Sequence, residues 1–283
     1  MLSEYVRRPA SARVRPFAGW YSGYRDVGVA PAAHRGLPSP YLTLIVTLDD
    51  PLWVAAHPDP ATPPGRYDTL LGGLHTTPAT IVHDGRQSGI QVGLSPLGAR
   101  TLLGLPAGEL TNVDVAAGDV LGPFAGELRD RVRSVPTWPE RFRIVDEMLA
   151  ARCASAVLPP PEVVHAWRLL QSSGGTVSTA ELAREVGWSG RYLSRRFNVE
   201  IGLSPKAAAR VARFDVARRR LQDGVPSLAA LAAACGYYDQ AHLTREFTGF
   251  AGCPPARWLA EERLPPFRNI QDPDAARWAD WAA

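Results

Sequence analysis

Downstream of about residue 160, apolar residues recur at helical spacing, whereas the first half carries short runs rich in β-branched or aromatic residues broken by Pro, Gly and Asp. Val163, Ala166, Trp167 and Leu170 mark one face of a helix that Ser173-Gly174-Gly175 ends. Ser178-Thr179-Ala180-Glu181 is a capping box: the serine side chain accepts from the helix start and the glutamate reaches back, and the helix runs to Gly187. Ser189 caps the next helix, which ends near Gly202. Ser204, with Pro205 at the first helical position, starts a long helix to about Gln222, stopped by Gly224 and Pro226. Ser227 opens another helix, Asp239 caps its successor, and a last helix lies around 255–262. This half is expected to be all helix.

In the first half, strands are expected at 15–25, 41–48, 52–55, 71–75, 80–83 and 89–94, the pattern of a small barrel or sandwich. Helices follow at 98–103, 124–132 and 140–153. The last puts Phe142, Val145, Leu149 and Cys153 on one face, which either contacts a second copy or packs on its own barrel. Pro159-Pro160-Pro161 cannot continue a helix and favours an extended spacer, so a linker is placed at about 155–161. The expected class is α+β multidomain: a small N-terminal β-barrel with helices over 1–157, an all-α domain over 158–264, and a tail over 265–283 with Trp278 and Trp281.

Leu193-Ser194-Arg195-Arg196-Phe197 returns fifty positions later as Leu243-Thr244-Arg245-Glu246-Phe247, and each copy is trailed by Gly-x-x-Pro, Gly202 to Pro205 and Gly252 to Pro255. Upstream, Leu182-Ala183 with Val186-Gly187-Trp188 matches Leu231-Ala232 with Cys235-Gly236-Tyr237 at an offset of forty-nine, so one turn is a residue longer. Helix, short glycine-opened turn and basic second helix is the helix-turn-helix pattern, here present twice. A connecting helix of roughly 17 residues would span about 26 Å, comparable to the ~34 Å of one turn of B-DNA, so one chain could read two successive major grooves.

Leu193 and Phe197 lie one turn apart and must point inward, which turns out Arg191, Arg195 and Asn198, with Tyr192 and Ser194 at the margins. These are the candidates for base edges. Arginine presents two donors in a fixed fork that match the paired acceptors of guanine, so Arg191 or Arg195 would read G on entering the groove. In the second helix the same projection turns out Ala241, Arg245 and Thr248, flanked by His242 and Thr244, with Gln240 at the exposed start. Gln can pair with adenine, and Ala or Thr can touch a thymine methyl. The alternative for these arginines is surface ion pairing, Arg245 included. Arg196, Lys206 and Arg210, and the helix starts at Ser189 and Ser204, suit phosphates, which position without specifying.

Charge is informative only when divided along the chain. Residues 1–157 balance, fifteen basic against fifteen acidic; 184–220 holds ten basic against Glu185, Glu200 and Asp215, where the first motif sits. Cys153, Cys235 and Cys253 are far apart and suggest neither disulfides nor a thiolate zinc site; Cys235 stands where Val186 stands and reads as a core thiol. No secretory signal or apolar span is evident, and the expectation is a cytoplasmic protein with no membrane partner. No Ser-His-Asp or Cys-His constellation, P-loop or dinucleotide fingerprint is evident, so no enzyme and no cofactor is expected.

The duplicated region resembles the DNA-binding domain of the AraC/XylS-type bacterial transcription regulators. The resemblance covers about 162–263, and Gly236-Tyr237-Tyr238-Asp239-Gln240-Ala241-His242-Leu243-Thr244-Arg245-Glu246-Phe247, followed by Gly252-Cys253-Pro254-Pro255, is similar to that family's most recognisable segment. It implies that the outward positions of 190–198 and 240–245 read bases in double-stranded DNA, and that RNA polymerase is a partner if the protein activates. Many members carry an N-terminal cupin-like barrel that binds a small effector and a helical pair that dimerises, so an unidentified effector and a homodimer are implied. Trp20, Tyr21, Tyr24, Trp53, Tyr67 and His75 could line such a pocket; the alternative is that these aromatics are core. His34, His57, His75 and His83 lack the H-x-H spacing of metal-binding cupins, and no metal is expected. Two other readings stand beside a ligand-controlled regulator: a regulator whose first domain only dimerises, and a cupin enzyme tethered to DNA.

Overall fold

The computed structural model describes residues 2–262, so the tail at 265–283 lies outside the described residues. Strands β1 (Leu2–Pro9), β2 (Ala18–Val27), β3 (Ala32–Gly36), β4 (Leu42–Thr47), β5 (Leu52–Ala56), β6 (Gly65–Tyr67), β7 (Thr69–Gly72), β8 (Ala79–His83), β9 (Arg86–Leu94) and β10 (Asp114–Ala116) make two antiparallel sheets. Their orders are β1-β2-β9-β4-β7-β10 and β3-β8-β5-β6. The expected run at 15–25 starts only at Ala18, because the N–H groups of Val14 and Arg15 turn back to the carbonyl of Ser11.

Four strands escaped the sequence pattern. β1 and β3 are edge strands with one neighbour each, and β3, Ala-Ala-His-Arg-Gly, has no β-branched residue. β6 and β10 have three residues each, too few to show a period.

Period-two alternation gives the large sheet two different faces. Tyr21, Leu44, Val46, Ile90 and Val92 are buried in the main core. Against them lie the helices that follow the sheets: α1 (Ala99–Leu103), α2 (Ala117–Leu121), α3 (Pro123–Arg133) and α4 (Trp138–Arg152). The Thr137 capping box starts α4, and its buried Phe142 sits 6.1 Å from the Tyr21 ring. Asp146 of α4 accepts from both the Tyr21 hydroxyl and the Ser11 N–H at 2.8 Å. The apolar face of α4 therefore covers its own sheet, and truncating Phe142 to Ala would cost about 3–5 kcal/mol. The other face of the sheet, with Ser22, Tyr24, Thr43, Ile45 and Gln91, looks toward the smaller sheet.

The helical domain comprises α5 (Pro161–Ser172), α6 (Thr179–Glu185), α7 (Gly190–Ile201), α8 (Pro205–Asp223), α9 (Leu228–Ala234), α10 (Gln240–Ala251) and α11 (Pro255–Glu262). Ser178, Ser189, Ser204, Ser227 and Asp239 each accept a backbone N–H at the helix start, as their spacing predicts. α6 stops at Glu185, two residues early, and Gly187 then turns left-handed at φ 70°, as does its counterpart Gly236 at φ 71°. α8 has 19 residues and spans about 28 Å. Inside it, Asp215 is buried and bridged by Arg218 at 2.7 Å and Arg219 at 3.0 Å.

The two halves touch directly. After a 3-10 turn at Cys153–Ser155 the chain runs without helix or strand to Pro160, and the Thr101 hydroxyl holds Val157 through both its N–H and its carbonyl at 3.0 Å. Gly108 lies so close to α7 that an added Cβ would stand 2.4 Å from the Val199 carbonyl. Thr111 donates to the Gly202 carbonyl at 2.7 Å.

Candidate nucleic-acid interface

α6 with α7, and α9 with α10, form two helix-turn-helix units joined by α8. The rotation of each second helix is fixed by what it buries. Leu193 and Phe197 are wholly buried with Leu182, and Phe197 meets Trp167 at 6.0 Å between ring centres. Leu243 and Phe247 are buried with Leu231, and Phe247 lies between Phe214 at 5.0 Å and Trp258 at 5.5 Å. Cys235 is a buried thiol whose pKa burial raises, as expected of a core position.

The faces opposite are open. Arg191, Tyr192, Arg195 and Asn198 are exposed and Ser194 is half-buried; Gln240, Ala241 and Arg245 are exposed, while His242 and Thr244 are half-buried. Among the described residues no carboxylate pairs with Arg191, Arg195 or Arg245. Arg195 rests over the Tyr192 ring at 5.4 Å, and Tyr192 takes the edge of Trp188 at 4.8 Å, so the start of α7 presents a braced arginine and an aromatic face. His242 is less free: its Nδ1 accepts the Tyr238 N–H at 3.3 Å, and its Nε2 is 3.8 Å from Glu246. The Thr248 hydroxyl donates to the Thr244 carbonyl at 2.7 Å and so turns onto its own helix.

The groups suited to phosphate divide. Lys206 is exposed, and Ser189 and Ser204 cap helix starts at the surface. Arg196 is half-buried, 3.8 Å from Glu200. Arg210, with its side chain 44% exposed, donates to Glu246 at 2.5 Å and lies over Phe250 at 5.2 Å. Not all of the basic stretch is surface charge, since Arg218 and Arg219 are buried on Asp215 and Arg213 donates to the carbonyls of Gly175 and Gly236.

Projection missed Tyr238. It is the residue by which the second turn is longer, and at 92% exposure it stands free immediately before the Asp239 cap. The change of repeat offset from forty-nine to fifty was its signal.

The N-terminal domain holds a cavity between its two sheets, with about 710 Å³ of empty space including the open mouth. Tyr24 and His75 line it, with His34, Thr43, Gln91 and Asp114. Tyr24 also lines a second hollow with Trp53 and Arg66, and that arginine stacks on Trp53 at 4.9 Å. Three expected pocket residues, Trp20, Tyr21 and Tyr67, are elsewhere. Trp20 is buried beneath Arg7 and lines neither hollow, and Tyr21, one residue on, points to the helices as alternation requires. Tyr67 packs edge-on against His57. Burial pushes His34 down to about 4 and lowers His75 and His83 as well, so all three are neutral near pH 7.

Residues 182–261 match the family described as a helix-turn-helix domain, across both units and the helix between them. The C-terminal domain is a helix-turn-helix domain of the AraC type. Residues 9–116, ahead of this AraC-type domain, match a family described as a domain of unknown function (DUF6597). An HTH-type transcriptional regulator of Mycobacterium tuberculosis is 30% identical over 86 residues, 30% of this chain, and the chain spans about a third of that relative's length, 33%. Over nearly the whole chain the fold is like that of an apo ToxT variant from Vibrio cholerae, with a TM-score of 0.53 at 10% identity, covering 89% of this chain and 99% of that one. The structure of a transcriptional regulator from Chromobacterium violaceum, described as AraC-type, is 26% identical and covers 37% of this chain and 95% of its own, with a TM-score of 0.35. Among the described residues no helix is long and apolar enough to cross a membrane.

Proposed function

We propose that the protein is a sequence-specific, double-stranded-DNA-binding transcription regulator whose N-terminal domain holds a small-molecule effector. The observation that carries this reading is the pair of open faces on α7 and α10, each opposite a buried Leu-Phe pair and each holding arginine without a carboxylate partner. An unpaired guanidinium on a helix that can enter the major groove suits the two acceptors of guanine.

In this reading Arg191, Tyr192, Ser194, Arg195 and Asn198 face one groove and Gln240, Ala241, His242, Thr244 and Arg245 the next. Lys206 and the helix starts at Ser189 and Ser204 meet phosphates, and Arg196 does so at the margin of its contact with Glu200. A helix of about 28 Å between the units suits grooves about 34 Å apart on one face of the duplex. The division at about residue 157 separates a sensing unit from a reading unit, with the tethered 156–160 stretch between them.

Hydroxyl-radical footprinting of the full chain on a bound promoter fragment tests the arrangement. Two protected patches about ten base pairs apart on one face are expected. A single protected patch rules out reading by both helices.

A further inference from the structure

The polar lining of the cavity sets what charge it accepts. His57 donates from Nδ1 to Asp114 Oδ2 at 2.9 Å, and its Nε2 is hydrogen-bonded to the Tyr67 hydroxyl at 3.2 Å. Both side chains are enclosed, His57 at 0% and Asp114 at 9% exposure, so the carboxylate is locked in place. Its other oxygen, Oδ1, has no hydrogen bond among the described residues. It lies over Gly72, where an added Cβ would come within 2.8 Å, and both residues line the cavity.

Among the described residues the other walls supply uncharged polar groups and no cation without a partner. Gln91, on the cavity wall, gives its amide N–H to the Thr43 hydroxyl at 3.4 Å. The buried Tyr24 hydroxyl has no partner among the described residues. Arg35, the one arginine among the described lining residues, is ion-paired through Nη1 with Glu261 of α11. The lining histidines His34 and His75 are neutral for the reason already given.

From this geometry we infer that the cavity binds a small organic ammonium ion, anchored by Asp114 Oδ1, and rejects carboxylic acids of the same size. The inference rests on the effector reading above and names its ligand class. An ammonium group placed at Oδ1 meets a carboxylate oxygen that is open to the cavity and has no hydrogen bond among the described residues, and its carbon body meets Ile45, Leu70 and Ile81. A carboxylate there would face Asp114, and among the described residues the one lining guanidinium, that of Arg35, is already paired with Glu261.

Hexylammonium and hexanoate form a matched pair of probes that differ in charge. Each is titrated into the full-length protein while the ring resonances of His34, His75 and Tyr24 are followed by NMR. Hexylammonium is expected to shift them saturably, hexanoate is expected not to, and Asp114→Asn is expected to weaken the ammonium at least tenfold. Hexanoate binding as tightly as hexylammonium would overturn the ligand class while leaving an effector cavity standing. Silence from both probes would remove the cavity as an effector site altogether. Ammonium binding unchanged in Asp114→Asn would overturn the anchor, and if that variant does not fold, the wild-type comparison alone decides the charge preference.

Discussion

Arg100, in the sheet domain, closes both arms of its guanidinium on Glu200 of α7, Nε to Oε2 at 2.7 Å and Nη2 to Oε1 at 3.0 Å. Glu200 is 1% exposed, so the carboxylate of this bidentate pair is buried at the end of α7. At the second unit, Arg35 of β3 makes the corresponding link to Glu261 of α11. The sheet domain thus grips both units. His34 on the same edge strand lines the cavity, so one strand touches both the cavity and the reading domain.

Removing Arg100 leaves a buried carboxylate with only Arg196 nearby, at 3.8 Å. Arg100→Ala is expected to lose about 3 kcal/mol of stability in urea denaturation of the full chain. A loss under about 0.5 kcal/mol would show that the contact is not formed in solution.

In the proposed function Arg195 reads a base and Lys206 holds a phosphate, and their variants separate the two roles. Arg195→Ala is expected to lose about 1–3 kcal/mol on the preferred site and to relax preference at one base pair, whereas Lys206→Ala weakens all sequences alike and lowers the salt slope by about one. Binding isotherms at several salt concentrations on matched and mismatched duplexes distinguish them. An equal loss on every sequence for Arg195→Ala removes it from the base-reading set.

Tyr238 packs on nothing that its loss would disturb, being 92% exposed. Tyr238→Ala is expected to leave the melting temperature unchanged and to weaken DNA binding several-fold, read by fluorescence anisotropy. Full affinity in the variant would return Tyr238 to a solvated turn.

The cavity histidines make the sheet domain sensitive to acid. His34 has its pKa lowered to about 4 in the folded chain against about 6.5 unfolded, so the unfolded state takes up its proton first. Stability is therefore complete above about pH 6.5 and falls as pH drops toward 4, with His75 and His83 acting in the same direction. Melting curves from pH 7.5 to 4.5 should show this decline, and His34→Gln should flatten it. An identical slope in the variant would mean that the His34 ring is not desolvated.

How much was legible in the chain varies with what each residue answers to. The helical half was readable nearly to its ends, because Ser178, Ser189, Ser204, Ser227 and Asp239 are local signals acting over three residues. The outward faces followed from where Leu193, Phe197, Leu243 and Phe247 had to go. Arg210 could not be read that way, since its partner Glu246 is thirty-six positions distant and meets it only after α10 packs on α8. The cavity was hidden for the same reason. Asp114, His57 and Tyr67 are scattered along the chain and carry no spacing, and Trp20 and Tyr24 differ in role although both lie on one face of β2. Sheet register decides such positions, and register is a non-local property.

Selection of bound sequences from a random DNA pool by the full-length protein tests the central claim most directly. Two base clusters about one helical turn apart, with binding that falls as salt rises, are the expected result. Salt-sensitive binding with no enriched sequence would contradict it, showing that α7 and α10 hold DNA by charge without reading it.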